Sequence, residues 1–424
     1  YFVGFDERDR HHQKAKDYVD KAVEASEEAA MIEVPTVLFG EGSGGYWGDG
    51  TDKAVRNYEK ALEYGKKTGD KFIIGRALHL LTYQTAWQSM TPEDPDEAMK
   101  LRRRALQYAE DARGQYSLIS FISPRGGGLW VEGPLCHYYI SLWLVETNLS
   151  KRRELIEKAL QAAPEELKRA EGSGYPSAIY WAHEVYGMAL TRLARTITDP
   201  EEKQRILEKA LLHISESNRM IRQADPLACW NLGIQIFLQA TAKSYLADLA
   251  KEDVTKKNML QEAILDMKAS LKLCAKEIPR YDKEGSAAAH NLIGLWQYET
   301  GNSLNRLYPI SHDSKHLREA IESFDDAADS FQKLNLTSRM AECWWKSAKM
   351  YAALGEHLKA AQRFDLASSN YRSSGEKIPQ LKDFYQDYAS YMQAWSEIEK
   401  AKHHHDRQEY GLAKEHYDNA AVVH

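Results

Sequence analysis

The pattern of apolar and polar positions is helical along almost the whole of this 424-residue chain. Apolar residues recur three and four positions apart, and no segment alternates apolar and polar residues as a half-buried strand does. Long aromatic-rich stretches such as SAIYWAHEVYGMALTRLA alternate with shorter charged stretches such as EEKQRILEKALLHISES. The pattern predicts an all-α protein built from about eight antiparallel helical hairpins.

The shorter, charged helices can be aligned on one alanine, which predicts where neighbouring helices meet. In several copies a second alanine precedes the aligned one by seven residues. Two helical turns separate such a pair, so both side chains lie on one face and allow a close helix approach. The aligned residues are Ala61, Ala105, Ala159, Ala210, Ala269, Ala327, Ala367 and Ala420, and the earlier partners are Ala54, Ala98, Ala320, Ala360 and Ala413.

The segment WWKSAKMYAALGEHLKAAQRFDLA, residues 344–367, carries the most complete copy of the pattern. It resembles the tetratricopeptide repeat in its order of large, small, aromatic and turn residues, namely Trp344, Ala348, Tyr351, Gly355, Ala360, Phe364 and Ala367. The resemblance implies a TPR-like α-solenoid, or superhelix, that acts as a scaffold for protein–protein interaction. In that family the first helices of the hairpins line a concave groove.

The repeats depart from the family in length. Successive aligned alanines lie between 40 residues (Ala327 to Ala367) and 59 residues (Ala210 to Ala269) apart, whereas the family's unit is about 34 residues. We therefore expect a divergent solenoid with long helices over residues 1–424. Within it we distinguish N-terminal hairpins at 1–113, divergent long-helix repeats at 114–310 and the best-matching repeats at 311–424.

Alignment with the family places a set of aromatic and polar residues in the groove. They are expected to bind a protein or peptide partner, and the alternative is that each simply packs between long helices. The candidates are Tyr83, Trp87, Asn231, Gln235, Asn291, Tyr298, Trp345 and Lys349. Trp344 is expected to fill the family's buried position, and the Lys and Asn clamp that binds carboxylate tails in some family members cannot be assembled here.

Composition narrows the function further. A net charge of −6 gives no electrostatic reason to expect nucleic-acid binding, and no apolar run reaches the length of a membrane span. The four cysteines lack metal-ligand spacing and favour buried thiols in a cytoplasmic, reducing compartment. We predict a non-catalytic binding module with no cofactor and no metal.

Two alternatives to a protein-binding scaffold stay open. One is an all-helical enzyme of the terpene-cyclase or α/α-toroid type, because Asp325, Asp326 and Asp329 spell D-D-x-x-D. Their overlap with a good repeat favours a solvated outer face instead. The other is a small-ligand protein, in which the Gly-rich loops 39–51 and 123–134 serve as lids.

Three further patterns are interpreted as structural. Gly40, Gly42 and Gly45 spell G-x-G-x-x-G, but a dinucleotide site needs that motif between a strand and a helix. The consecutive residues His403–His405 point in different directions on a helix and so cannot converge on one metal. The basic runs around Arg102–Arg104 and Lys151–Arg153 are expected to form solvated helix faces, and contact with a phosphate or an acidic tail is the alternative.

The two ends of the chain suggest contacts beyond it. The first residue is Tyr1 rather than Met, so we expect a preceding segment. The last residues, AAVVH, would leave an apolar face uncovered at the end of a repeat array, which usually has a polar capping helix. We therefore expect the chain to continue past His424, or this end to dock on another domain or subunit.

Overall fold

A computed structural model describes residues 51–117, 132–146, 148–173, 176–224, 229–279 and 288–423. Within these ranges the chain forms fifteen α-helices and no strand. In order they are α1 Thr51–Thr68, α2 Lys71–Gln88, α3 Pro95–Ser117, α4 Glu132–Val145, α5 Leu149–Ser173, α6 Pro176–Ala194, α7 Pro200–Ala224, α8 Cys229–Ala247, α9 Asp253–Ala275, α10 Ala288–Ser311, α11 Ser314–Gln332, α12 Thr337–Ala353, α13 His357–Lys377, α14 Lys382–Asp406 and α15 Tyr410–Val423.

The predicted all-α class and its helical hairpins are confirmed. Helices that follow one another in the chain pack side by side, and short turns join most of them. This is the arrangement that the resemblance to a divergent tetratricopeptide-like repeat implies. In the described part of the chain, no helix combines the length and the apolar character needed to cross a membrane.

The chain divides into two compact units. Unit 1 comprises residues 1–91, 95–242 and 273–286, and unit 2 comprises residues 92–94, 243–272 and 287–424. Helices α3 and α7 each begin at the proline of an Asp-Pro pair, Pro95 and Pro200. At the second, Asp199 Oδ1 accepts a hydrogen bond of 2.8 Å from the backbone N–H of Glu201, which satisfies a donor of the first turn. The third Asp-Pro pair of the chain, Asp225-Pro226, lies outside the described residues.

The aligned alanines mark helix contacts in both units. Ala61, Ala105, Ala159 and Ala210 of unit 1 have no exposed surface, and the same holds for Ala327 and Ala367 of unit 2. The alignment of α9 on Ala269 as a helix-contact residue was wrong, because Ala269 is exposed while Ala263 and Ser270 are fully buried. In α9 a serine takes the small-residue position, so an alignment on alanine alone selected its neighbour.

Unit 2 contains two close approaches between α10 and α11. The rings of Phe324 and Phe331 on α11 lie against Gly301 and Gly294 on α10, where a Cβ atom would come within 2.8 Å and 2.7 Å of a ring carbon. Both rings are buried. Only glycine allows this approach, so the two rings fix how α11 sits on α10.

The start of α12 receives a carboxylate within unit 2. Glu93 Oε1 accepts hydrogen bonds of 2.7 Å from the Ser338 backbone N–H and 2.7 Å from the Thr337 hydroxyl. Lys377 Nζ lies 3.1 Å from Glu93 Oε2. A negative charge at a helix N-terminus is stabilised by the free N–H groups and the helix dipole. Glu93 therefore caps a helix that lacks an acidic residue in its own first turn.

Candidate partner-binding surface

An aromatic row runs along one side of α14. Phe384, Tyr388, Tyr391 and Trp395 are spaced four, three and four residues apart, which places them on one helix face. Phe384 is 52% exposed and Tyr391 is 38% exposed, whereas Tyr388 and Trp395 are half-buried. Side chains of this size are seldom left in water on several successive turns unless the surface meets something.

Trp345 of α12 extends this row onto the neighbouring hairpin. Its ring centroid lies 6.2 Å from that of Tyr388 and 6.5 Å from that of Tyr391, both edge to face. The first helices of two consecutive hairpins, α12 and α14, thus contribute to one patch. We call Trp345, Phe384, Tyr388, Tyr391 and Trp395 the aromatic surface.

Two lysines lie over the aromatic surface. Lys349, one turn after Trp345, is exposed, and its Nζ lies 6.0 Å from the Trp345 ring centroid. Lys402 Nζ lies 5.7 Å from the Trp395 ring centroid and 2.7 Å from Glu399. These distances fit weak cation–π contacts. Lys349 therefore places a positive charge beside Trp345, whereas the charge of Lys402 beside Trp395 is paired with the Glu399 carboxylate.

Trp344 faces a different environment from Trp345. Arg363 of α13 stacks over its ring at 4.6 Å, and the same guanidinium lies 2.5 Å from Asp325 of α11. Ser347 donates a 3.0 Å hydrogen bond to the other oxygen of Asp325. Trp344 also contacts the apolar cores on both sides of α12. Trp344 and Trp345 are both half-buried, so Trp344 does not reach the fully buried position that was expected, and Trp345 packs partly on the core while it contacts Tyr388 and Tyr391.

These contacts correct the interpretation of the D-D-x-x-D motif in part. Asp326 and Asp329 are exposed as predicted, but Asp325 is only 27% exposed and is held by Arg363 and Ser347. Burial raises the pKa of the Asp325 carboxyl above its usual value, although Arg363 opposes the shift. Across the described ranges, no group of three His, Cys, Asp or Glu side chains is arranged to hold a metal ion.

The histidine run lies on α14 and its members have separate neighbours. His404 Nδ1 lies 2.6 Å from Glu409, and the His404 ring stacks on that of His416 of α15. His405 contacts Tyr410 edge to face. The run therefore helps to join α14 to α15.

The two basic runs are only partly solvated. Arg103, Arg104, Lys151 and Arg153 are exposed. Arg102 instead donates hydrogen bonds of 2.7 Å and 2.8 Å to the backbone oxygen and hydroxyl of Ser141. Arg152 stacks over the Trp143 ring at 4.3 Å. One arginine of each run thus packs inward.

The predicted groove residues fall into both units and differ in accessibility. In unit 1, Trp87 of α2 and Asn231 of α8 are half-buried, while Gln235 is completely buried. The side chain of Tyr83 lies outside the described residues. In unit 2, Asn291 of α10 is buried. A partner contact at Gln235 or Asn291 would need the surrounding side chains to move.

Tyr298 of α10 is half-buried and donates a short hydrogen bond to the Glu342 carboxylate of α12. Burial, followed by the nearby negative charge of Glu342, raises the pKa of its hydroxyl far above the ordinary value. The ring also packs edge to face on Phe324, with centroids 5.5 Å apart. In this structure Tyr298 connects two helices.

Of the predicted set, the structure brings Trp345 and Lys349 together on one exposed surface. Sequence reasoning missed Phe384, Tyr388 and Tyr391, which complete it. Their signal was the four–three–four aromatic spacing in KDFYQDYASYMQAW. That spacing alone is typical of a buried face, so exposure could be recognised only once the neighbours of α14 were known.

Comparisons with known proteins do not supply a family. No family model matches the chain, and no curated protein matches it. Among solved structures, a circular tandem repeat protein with novel repeat topology aligns over 97% of this chain and 95% of its own, at 13% identity and a TM-score of 0.34.

Two further solved structures also align with this chain. A signal transduction ATPase with numerous domains, which has a tetratricopeptide repeat sensor and comes from Pyrococcus horikoshii, aligns at 15% identity with a TM-score of 0.48. It is matched over 95% of this chain, which spans about half (51%) of that protein. The Naa15/Naa10 complex bound to HypK aligns at 10% identity and a TM-score of 0.18. Similarities this low carry no functional argument.

Proposed function

We propose that this protein is a non-catalytic binding module that holds a protein or peptide partner on the aromatic surface of unit 2. The observation that supports this most directly is the exposure of Phe384 and Tyr391 beside Trp345 on adjacent first helices. Tryptophan and tyrosine dominate the binding energy of protein interfaces because they bury much area with few rotatable bonds. The face is formed by first helices, which is where the sequence predicted binding.

The chemistry of the surface indicates the kind of partner. Apolar or aromatic anchor side chains fit between the rings, and a carboxylate fits beside the exposed Lys349. We infer a partner segment that carries apolar anchors flanked by acidic residues. The remaining predicted groove residues, Trp87, Asn231 and Asn291 among them, stay predictions for a longer partner.

A selected peptide tests the proposal. A displayed peptide library is panned on the full chain, and enriched peptides are titrated against wild type, Trp345→Ala and Phe384→Ala. We expect acidic–apolar peptides whose Kd rises at least about tenfold in either variant. Leu265→Ser is the matched control, because Leu265 is an exposed apolar residue of unit 2 outside the surface. The absence of enriched peptides, or equal binding by all variants, contradicts the proposal.

We also propose that the exposed face of α15 self-associates. Tyr410 and Leu412 are exposed on this helix, and Val422 is 86% exposed, while Ala413 and Ala420 pack inward. A second copy presenting the same face would cover these side chains. Sedimentation should show a concentration-dependent dimer that Val422→Glu with Val423→Lys weakens. A wild-type monomer at high concentration would contradict this.

A cytoplasmic location stays a prediction. Cys136, Cys274 and Cys343 are free and buried, as expected for thiols in a reducing compartment. The side chain of Cys229 lies outside the described residues, and so do residues 39–50 and 123–131 of the Gly-rich loops predicted as lids at 39–51 and 123–134.

A further inference from the structure

Three arginines converge on one buried tryptophan in unit 1. Trp143, near the end of α4, is 1% exposed. The guanidinium carbons of Arg152, Arg192 and Arg195 lie 4.3 Å, 6.0 Å and 5.9 Å from its ring centroid. Arg152 belongs to the first turn of α5, and the other two lie at the end of α6. Three positive charges are therefore concentrated where α4, α5 and α6 meet.

Two hydrogen-bond donors at this point have no acceptor. Neither the Trp143 indole N–H nor the Arg152 Nε–H has a hydrogen-bond partner among the described residues, although both atoms are buried. A buried donor without an acceptor is costly, and native proteins rarely keep one unless something else supplies the acceptor. Both groups donate, so the missing partner is an oxygen that accepts.

The start of α5 adds a second, independent indication of an anion. Its first turn contains Lys151 and Arg152 and no acidic residue. Asn148 Oδ1 caps the Lys151 N–H at 3.1 Å, but it carries no charge. Cations at the positive end of a helix are unfavourable by themselves. A bound anion would reverse that penalty and would use the remaining N–H groups of the turn.

We propose that Trp143, Arg152, Arg192 and Arg195 form an oxyanion-binding site, separate from the aromatic surface. Guanidinium groups bind the oxygens of phosphate and carboxylate with paired N–H donors, and the indole N–H supplies a further donor. The ligand is a small molecule that carries a phosphate or a carboxylate group. Binding it would join the end of α4, the start of α5 and the end of α6.

The test uses the full chain and two probes, inorganic phosphate and succinate, at an ionic strength held constant with sodium chloride. Thermal unfolding and calorimetric titration should show saturable binding of at least one probe, and the preferred probe identifies the oxyanion class. Arg152→Gln should weaken that binding about tenfold or more. Trp143→Phe keeps a ring for the guanidinium groups but lacks the N–H, so it should weaken binding by a smaller factor.

The matched control is Arg153→Gln, because Arg153 is the next residue, is exposed and pairs with Glu157. It should bind like wild type. No saturation with either probe, or equal loss in Arg153→Gln, would overturn the proposal, since the second outcome means diffuse attraction by surface charge. If Arg152→Gln does not fold, Trp143→Phe with unchanged affinity overturns it equally.

Discussion

At the scale of single residues, glycines on helices have opposite roles according to what faces them. A Cβ at Gly301 would come within 2.8 Å of the buried Phe324 ring, whereas a Cβ at Gly114 of α3 would meet nothing within 4 Å. Alanine raises helix propensity at both positions by about 1 kcal/mol. Only at Gly301 does the added methyl group force a core ring to move.

We therefore predict opposite signs for the same substitution. Gly114→Ala should raise the free energy of unfolding by about 0.5–1 kcal/mol and so move the midpoint of urea unfolding to a higher concentration. Gly301→Ala should lower the free energy of unfolding by about 1–3 kcal/mol, because the added methyl group overpacks the contact with Phe324. Circular dichroism during urea titration measures both variants. A Gly301→Ala protein as stable as wild type would mean that α10 and α11 are farther apart than described.

A buried carboxyl group gives a pH-dependent prediction. Burial raises the pKa of Glu184 on α6 from 4.5 to about 8, and the neighbouring Gln235 side chain opposes this shift to a smaller extent. The unfolded chain releases this proton near pH 4.5 and the folded protein keeps it until about pH 8. The stability tied to Glu184 is therefore complete below pH 4.5 and falls as the pH rises towards 8.

Glu184→Gln removes this penalty, because an amide stays neutral at every pH. We expect the variant to be more stable than wild type at pH 8, by about 1–3 kcal/mol, with a much smaller difference at pH 4.5. Thermal melts at the two pH values measure it. Glu165→Gln, at an exposed position of α5, is the control and should show no such pH trend. A constant difference across the range would contradict the shift.

At the scale of helices, two adjacent tryptophans of α12 separate stability from binding. Trp344 packs between Arg363 and the cores on either side, while Trp345 lies on the aromatic surface. Trp344→Ala should cost about 3 kcal/mol, because it leaves a cavity and removes the stacking partner of Arg363. Trp345→Ala should cost less, about 1–2 kcal/mol, because the Trp345 ring is half-buried against Tyr388 and Tyr391. Unfolding midpoints of both variants, compared with peptide affinity, distinguish the two roles.

Helix boundaries and the contact alanines could be predicted from the sequence because both depend on local pattern. Ala360 and Ala367 are small, seven residues apart and next to apolar residues, and both are fully buried. Depth of burial could not be predicted in the same way. Gln235 is polar and yet has no exposed surface, whereas Phe384 is apolar and half in water. In a chain of hairpins each helix packs on the helices before and after it. Those neighbours determine which of its faces are shielded from solvent.

At the scale of the whole molecule, the contacts of each helix are mostly with its chain neighbours. Among the described helices, the strongly packed pairs are successive ones, and α4 with α6 is the exception. The free energy of unfolding of such an array is a sum of contributions from single repeats and from the interfaces between neighbouring repeats. A destabilising substitution should therefore affect only the helices near it. This contrasts with a globular core, where one cavity weakens every element.

Phe324→Ala tests this locality. The side chain is completely buried between α10 and α11, so its loss should cost about 3–5 kcal/mol. Hydrogen exchange followed by mass spectrometry should show faster exchange in α10, α11 and α12, with peptides of α5 unchanged. Uniformly faster exchange along the chain would show that unfolding is cooperative throughout.

The two ring-in-glycine contacts between α10 and α11 also have a mechanical consequence. Gly294 and Gly301 are seven residues apart, and so are Phe331 and Phe324, in opposite chain directions. Gly294 and Gly301 are thus about 10.5 Å apart along α10, and Phe324 and Phe331 are the same distance apart along α11. A shear force along this hairpin would have to lift both rings out together before either helix could slide. The α10–α11 pair should therefore have one stable register and resist the sliding of one helix along the other.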